Sequence, residues 1–527
     1  MGKSIRKYRQ NREYDYLDPD KASAYAHHDG RGNQHFDNDL LTSPREFVPL
    51  EELAPGHSSP FGVMMNLTVT CVGTSVVVMP YVFLQAGFVM TIFMMMLFAI
   101  IVHYSTYCLV HLGVSQGIYS LHGLAKLAFG QRGAYAVGFL QFVTSLGLVI
   151  AYLSIIYEDL PVLLGQSLGL DTDESGFPIP SVNKYPFLSK LLASRFWFAE
   201  VFTVLFILPI ALMLASYRRL QYTSGITTVL LLLTALCVMS KASYFHDKNV
   251  REASSGFSRD YLAVPATIFQ AFGTMASSFA SQHHIFHAFH SLRERTVTVF
   301  MRVSLLALFL SVFLAYSVGI GGYVSYLSQT KADIFQNLDF RAADQKYLRP
   351  FWFFLPLCAV FCIPLEVLVT RHSMQFLVRS SCQQDEAPEV LFRAQPGAKP
   401  QDTEPTATTA LFDETKPKPC AGGGERCSWM PQLLTAVAML AVGQMFAFFA
   451  LSIGVVLSVT GGIGALLLMF VLPAACHLKL SAEADDSTTA GNQGGWFFST
   501  FLPCFSLLIG IIGSVACVLA NIVQLAS

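Results

Sequence analysis

Two stretches of this chain concentrate groups that can do chemistry: Gly73-Thr74-Ser75, and the histidine run His283, His284, His287 and His290. The glycine and its two hydroxyls interrupt an apolar run, MMNLTVTCVGTSVVVMP, from Met64 to Pro80. A helix that unwinds there restarts with unpaired N–H groups and the positive end of a dipole, an arrangement that holds a carboxylate. Discontinuous helices at mid-membrane are where many transporters keep their substrate site. The commoner role of Gly-Thr-Ser in a membrane helix is close packing. Spacings of four and three set His283, His287 and His290 along one helical face. Such imidazoles can bind zinc or titrate near neutrality; the plainer reading is a polar helix end facing an aqueous vestibule. A di-iron membrane enzyme would need several histidine boxes. The other histidines (His103, His111, His122, His246, His372 and His477 among them) stand singly, so that class remains a remote alternative. Glu366, two residues after Pro364, is an ionisable group in an apolar run, which is costly without a function. Its plainer reading is a place near the inner interface, paired with Arg371 or a neighbouring base.

These residues must be positioned by long apolar helices. Hydrophobic residues make up 53% of the 527, charged residues only 13%, and the mean hydropathy is +0.48. Soluble proteins carry about 25% charged residues, so this surface calls for a lipid bilayer. A net charge of −1 gives no reason to expect a nucleic-acid partner. The apolar residues form about eleven blocks of bilayer-spanning length. They begin near Phe61, Phe88, Ala134, Phe196, Gln221, Tyr261, Phe300, Phe351, Met430, Ser452 and Trp496. Backbone in hydrocarbon must satisfy its own hydrogen bonds, so the blocks are helices and the protein is all-α and polytopic.

Residues 1–60 are polar, with no apolar core after their basic start, and read as a disordered cytoplasmic tail rather than a signal peptide. Helices one to eight then occupy 61–380. A linker at 381–429, rich in Pro, Thr, Gly and acids, cannot form a core and also reads as cytoplasmic. Helices nine to eleven fill 430–527. With the tail inside, parity places Tyr217-Arg218-Arg219 and Arg293-Glu294-Arg295 in short basic inside loops. Segments 162–195, 241–260 and 328–349 become outside loops. None of the eleven cysteines lies in those segments, so no disulfide framework is implied. Cys420 and Cys427 are poorly spaced for zinc, and no metal site is expected.

Gly73 to Phe88 resembles the first-helix signature of the amino acid/auxin permease family, which includes sodium-coupled neutral and proton-coupled amino acid transporters. The likeness continues in order. Asn66 lies seven residues before Gly73, as in the family's pattern, and His103-Tyr104-Ser105 resembles the end of the second helix, with His103 where an Asp is common. Tyr119 to Gly130 resembles the connecting loop that follows. Leu208-Pro209, Leu220 to Ser224, Gly322 to Leu338, Pro364 to Ser373, and Gly461 with Leu472-Pro473 to Leu480 resemble later elements.

The resemblance implies a five-plus-five inverted-repeat (LeuT/APC-type) transporter fold, with helices one and six broken around the substrate and an eleventh helix added. It implies a small neutral amino acid as substrate, no enzyme activity and no cofactor. It places the protein, N-terminus inside, in the plasma membrane or an endosome, lysosome or vacuole. Carried over residue by residue, the substrate neighbours are Cys71, Gly73, Thr74 and Ser75 in the first break and Ser278, Phe279, Ser281 and Gln282 in the sixth. In the sodium-coupled branch a Thr two residues before the helix-eight Pro supplies a sodium ligand. Here that residue is Cys362, and Phe351 to Ile363 holds no Ser or Thr. Sodium is a hard cation that needs oxygen ligands. The expectation is therefore a carrier that does not use that sodium site, coupled to protons through Glu366 or His283, or else a facilitator. An amino-acid sensor on the same fold, signalling through the tail, is the alternative.

Overall fold

The computed structural model describes residues 56–173, 177–180, 185–214, 217–252, 262–264, 266–337, 353–382, 430–449, 452–485 and 497–526. All of them lie in one compact unit, Phe47–Ser527. The expected tail, up to residue 55, and the expected linker, from residue 383, fall outside the described residues.

The helices run α1 Pro60–Cys71, α2 Met79–Ala86, α3 Phe88–Gln116, α4 Leu121–Ser167, α5 Pro186–Ala193, α6 Arg195–Phe202, α7 Leu208–Met213 and α8 Tyr217–Glu252. They continue as α9 Ile268–Ser278, α10 Ile285–Ser291, α11 Val297–Tyr326, α12 Phe354–Cys382, α13 Met430–Phe448, α14 Ile453–Thr460, α15 Leu472–Asp485 and α16 Leu502–Ala526. Among the described residues, eight stretches are long and apolar enough to cross a membrane, and α1 with the helical segment Ser75–Ala86 makes a bent ninth. The shorter α13 and the interrupted pair α9–α10 complete the order marked in the sequence.

Local chemistry sets the boundaries. Ser59 caps α1 by accepting from Gly62 N at 3.1 Å, with Pro60 in the first turn. Gly117, at φ 63°, ends α3 in a left-handed turn that costs a residue with a Cβ more. Pro209 and Pro473 each lack an N–H for the preceding turn, and a π-turn stands before each: Thr203–Ile207 and Leu467–Val471. Those widened turns join α6 to α7 and α14 to α15 into continuous spans.

Three expectations are corrected. The stretch after Tyr119, expected as a loop, is helical from Leu121, and only Gly130 (φ 69°) kinks it. Ser120 caps it, and Leu121, Leu124, Ala125 and Ala128 are buried at helical spacing, so a surface amphipathic helix forms. The outside segments are partly helical: α4 runs to Ser167, α5 lies within 162–195, and α8 continues to Glu252. The sixth block begins at Ile268 rather than near Tyr261.

α12 lies along α4 and α8 along α11; α1 packs on both α8 and α11, and α9 on α14. Apolar side chains cover both faces of the outer helices. On α3, Met95, Phe98 and Ile101 are buried, while Phe93, Met96 and Ile100 are exposed. In a bilayer the exposed row meets lipid tails and carries no hydrophobic penalty.

Candidate functional site

The first span breaks where the polar triplet stands. α1 ends at Cys71, and Gly73–Val78 forms a 3-10 turn before α2. Gly73 adopts φ +37°, a region that disfavours side chains. A Cβ there would sit 3.1 Å from Tyr152 Oη and 3.7 Å from Cys362 Sγ. The break therefore faces α4 and α12. Thr74 lies within the turn, and the Ser75 hydroxyl donates to Val72 O at 2.5 Å. α1 is held by Asn66 Nδ2 donating to Tyr217 O at 3.1 Å, and by Thr68 and Ser311 bonding across to α11.

The second break lies between Ser278 and Ile285. Phe279 and Ser281 leave the helical path, and Gln282–His284 forms a 3-10 turn leading into α10. α9 packs against the Gly73–Val78 turn, so the two breaks are neighbours. The Gln282 side chain, 1% exposed, accepts from Ser281 N through Oε1, while its Nε2 has no acceptor among the described residues. An orphaned buried donor costs about 1–3 kcal/mol. The Ser278 hydroxyl donates to Thr274 O, and Phe279 packs 6.5 Å from Phe98 of α3.

The expected substrate neighbours separate into two groups. Gly73 turns toward Tyr152 and Cys362. Cys71 and Ser281 instead line a cavity with His103, Thr106, Ser304 and Leu308, on the α3–α11 side. His103, singled out where an acid is common, thus joins Cys71 and Ser281.

Below the breaks, Glu366 is 1% exposed and sits between two imidazoles. His283 Nε2 donates to Oε2 and His284 Nε2 to Oε1, each at 3.2 Å. This corrects two readings. Glu366 is hydrogen-bonded to two histidines in the interior rather than paired with a base near an interface. His283 and His284, at 2% and 0% exposure, face that carboxylate rather than an aqueous vestibule. Nor does His283 share the face of His287 and His290, which lie one turn apart on α10. His283 belongs to the 3-10 turn, His287 packs 4.7 Å from the His372 ring, and His290 donates to Tyr119 O. The broken helix, which sequence spacing treats as continuous, is the reason.

Glu366, His283 and His284 offer donor atoms within 4.8 Å of one another, close enough to converge on a metal ion. A metal-bound imidazole ordinarily donates its other N–H to an oxygen, whereas His284 Nδ1 has no partner among the described residues. The trio is better described as a carboxylate between two imidazoles. With one proton beyond the neutral rings it carries no net charge; without it, a net negative charge stays in a low-dielectric interior. Sequence reasoning named Glu366, His283 and Cys362 but missed Tyr152 and Tyr217, whose approach depends on tertiary packing.

The family model described as "Transmembrane amino acid transporter protein" matches residues 56–522. Among curated relatives, a Danio rerio protein is 26% identical over 438 residues, covering 81% of this chain and 80% of its own length. A Rattus norvegicus protein is 26% identical over 440 residues, covering 82% of each. Both are provisionally named sodium-coupled neutral amino acid transporter 11. Among solved structures, MhsT in complex with L-phenylalanine aligns with 88% of this chain and all of its own, at a TM-score of 0.50 and 11% identity. That likeness shows the fold, the inverted-repeat transporter architecture with broken first and sixth helices. With a match that spans every helix described above, the chain belongs to the transmembrane amino acid transporter family.

Proposed function

We propose that this protein carries small neutral amino acids across a membrane, binding them between the two breaks. The observation that carries the reading is the apposition of the Gly73–Val78 turn with α9, whose own break presents the orphaned Gln282 Nε2. Gly73, Thr74 and Ser75 receive the substrate carboxylate at the start of the second half-helix. Cys71, Ser278, Phe279, Ser281 and Gln282 form the surroundings of the rest of the molecule. Neutral substrates are what the names of the curated relatives describe.

The coupling ion is the proton, bound at the Glu366–His283–His284 trio. The sodium in the relatives' names is not carried over, because the helix-eight position facing Gly73 is a thiol, Cys362. The basic residues Arg218, Arg219, Arg293 and Arg295 support a cytoplasmic placement for their face and for the N-terminus, in the plasma membrane or an endolysosomal membrane. The test is uptake of the amino acids into proteoliposomes, at two pH values and with or without sodium. One or more small neutral amino acids should be carried by the unmodified protein. Gly73→Leu, folded by size-exclusion elution, should carry none, because its side chain would enter the space of Tyr152 Oη and Cys362 Sγ. Normal uptake by that variant would refute the site.

A further inference from the structure

His284 Nδ1, next to the trio, has no partner among the described residues, and the nearby Tyr217 hydroxyl faces the Thr70 side chain. Their rings are 6.3 Å apart, centre to centre, and the Tyr217 ring is 6.5 Å from His287. His287 lies 4.7 Å from His372, again between ring centres. His372 Nδ1 donates to Leu368 O at 2.8 Å, which leaves its Nε2 as a proton acceptor when the ring is neutral. His372 is six residues beyond Glu366, about 9 Å along α12. His287 is three residues beyond His284, in the first turn of α10, which ends just before the basic residues Arg293 and Arg295. A string of proton-bearing groups thus leads from the buried carboxylate toward one face of the membrane.

We propose that Tyr217, His287 and His372 form a proton path connecting the Glu366 trio to the face bearing Arg293 and Arg295. The proposal rests on the reading of the trio as the proton site. Proton transfer needs donor and acceptor within hydrogen-bond reach, or linked by one water. The steps run from Glu366 to His284, through the Tyr217 hydroxyl to His287, and on to His372. Each relay group gives up one proton as it receives another, so no other reactant is consumed. The groups that face the path come from every neighbouring element. Around His287, His284 lies on the preceding 3-10 turn, His290 on the same helix, and Arg371 on α12. His122 faces His372 from α4, while Cys71 and Glu366 face Tyr217.

The experiment uses the full-length protein in liposomes loaded with a pH dye, with the best-carried amino acid of the uptake screen as probe. For the unmodified protein, adding that amino acid should acidify the interior. Tyr217→Phe and His372→Gln should lose this evoked proton flux by about tenfold or more, as expected for a missing transfer group. Exchange of labelled for unlabelled amino acid, at equal pH on both sides, should stay within about twofold of normal. Wild-type proton flux in either variant overturns the path. So does parallel loss of flux and exchange in both variants while they still elute as folded protein, since that marks a structural role. The unmodified protein separates the layers: no carriage of any amino acid refutes the transport reading, and carriage without acidification refutes the proton site.

Discussion

Glu366 is buried at 1% exposure between His283 and His284, and such a carboxylate is costly unless its partners stay in place. Glu366→Gln keeps the shape and an acceptor oxygen but removes the charge that holds a proton on the imidazole pair. In the unmodified protein uptake should rise as external pH falls, because acid supplies the co-transported proton. In Glu366→Gln that ratio should drop to about one, measured as initial uptake at acidic and neutral external pH. An unchanged pH profile would leave Glu366 a structural role only. The importance of Glu366 is legible in its position within an apolar run; its partners are not. Consecutive helical residues point about 100° apart, so His283 and His284 do not read as a pair. They meet one carboxylate at the break, where the chain has left α9 and Glu366 reaches between two consecutive rings.

The elements show the same division between pattern and packing. Apolar runs gave the order of the spans, yet a helix such as α3 is apolar all round. Which side meets lipid, Phe93, Met96 and Ile100 as it turns out, cannot be read from periodicity. Conversely, the amphipathic start of α4 carried a helical period and was overlooked because it is too short to span. The sixth and tenth spans meet closely where α9 crosses the π-turn Gly461–Ala465. A Cβ on Gly461 would lie 1.8 Å from Gly273 O, and one on Gly273 2.5 Å from Ser458 O. Backbone cannot yield as a flexible side chain does, so Gly461→Ala should destabilise by about 1–3 kcal/mol. Gly225 on α8 is the control, since a Cβ there meets nothing within 4 Å. Gly225→Ala should be neutral or stabilise by about 0.5–1 kcal/mol. Thermal unfolding in detergent should show Tm lowered only by the Gly461 change. Equal Tm values would mean that the α9 contact relaxes freely.

At the scale of the whole molecule, the transport cycle is defined by the ion that drives it. The architecture was legible because broken helices and family spacing point to one fold, whereas the driving ion depends on a few ligands. A sodium ion between the first break and the eighth helix needs carbonyl oxygens from the break and a hydroxyl from α12. The α12 residue that approaches Gly73 is Cys362, and the Phe351 to Ile363 stretch of the sequence has no Ser or Thr to replace it. A thiol is a soft ligand and a poor partner for a hard cation. Losing one oxygen of about five weakens such a site, because affinity follows ligand number and charge. The nearest buried ionisable group on α12 is Glu366, one turn further along, already engaged by His283 and His284. A carboxylate held between imidazoles exchanges protons more readily than it strips water from sodium. Replacing external sodium with choline, at fixed pH and membrane potential, should therefore change initial uptake by less than about twofold. A several-fold fall would show that sodium is bound despite Cys362, through oxygens of the break or through Glu366 itself. Cys362→Thr gives the converse reading: restoring a hydroxyl at the place facing Gly73 should make uptake sodium-sensitive where the unmodified protein is not.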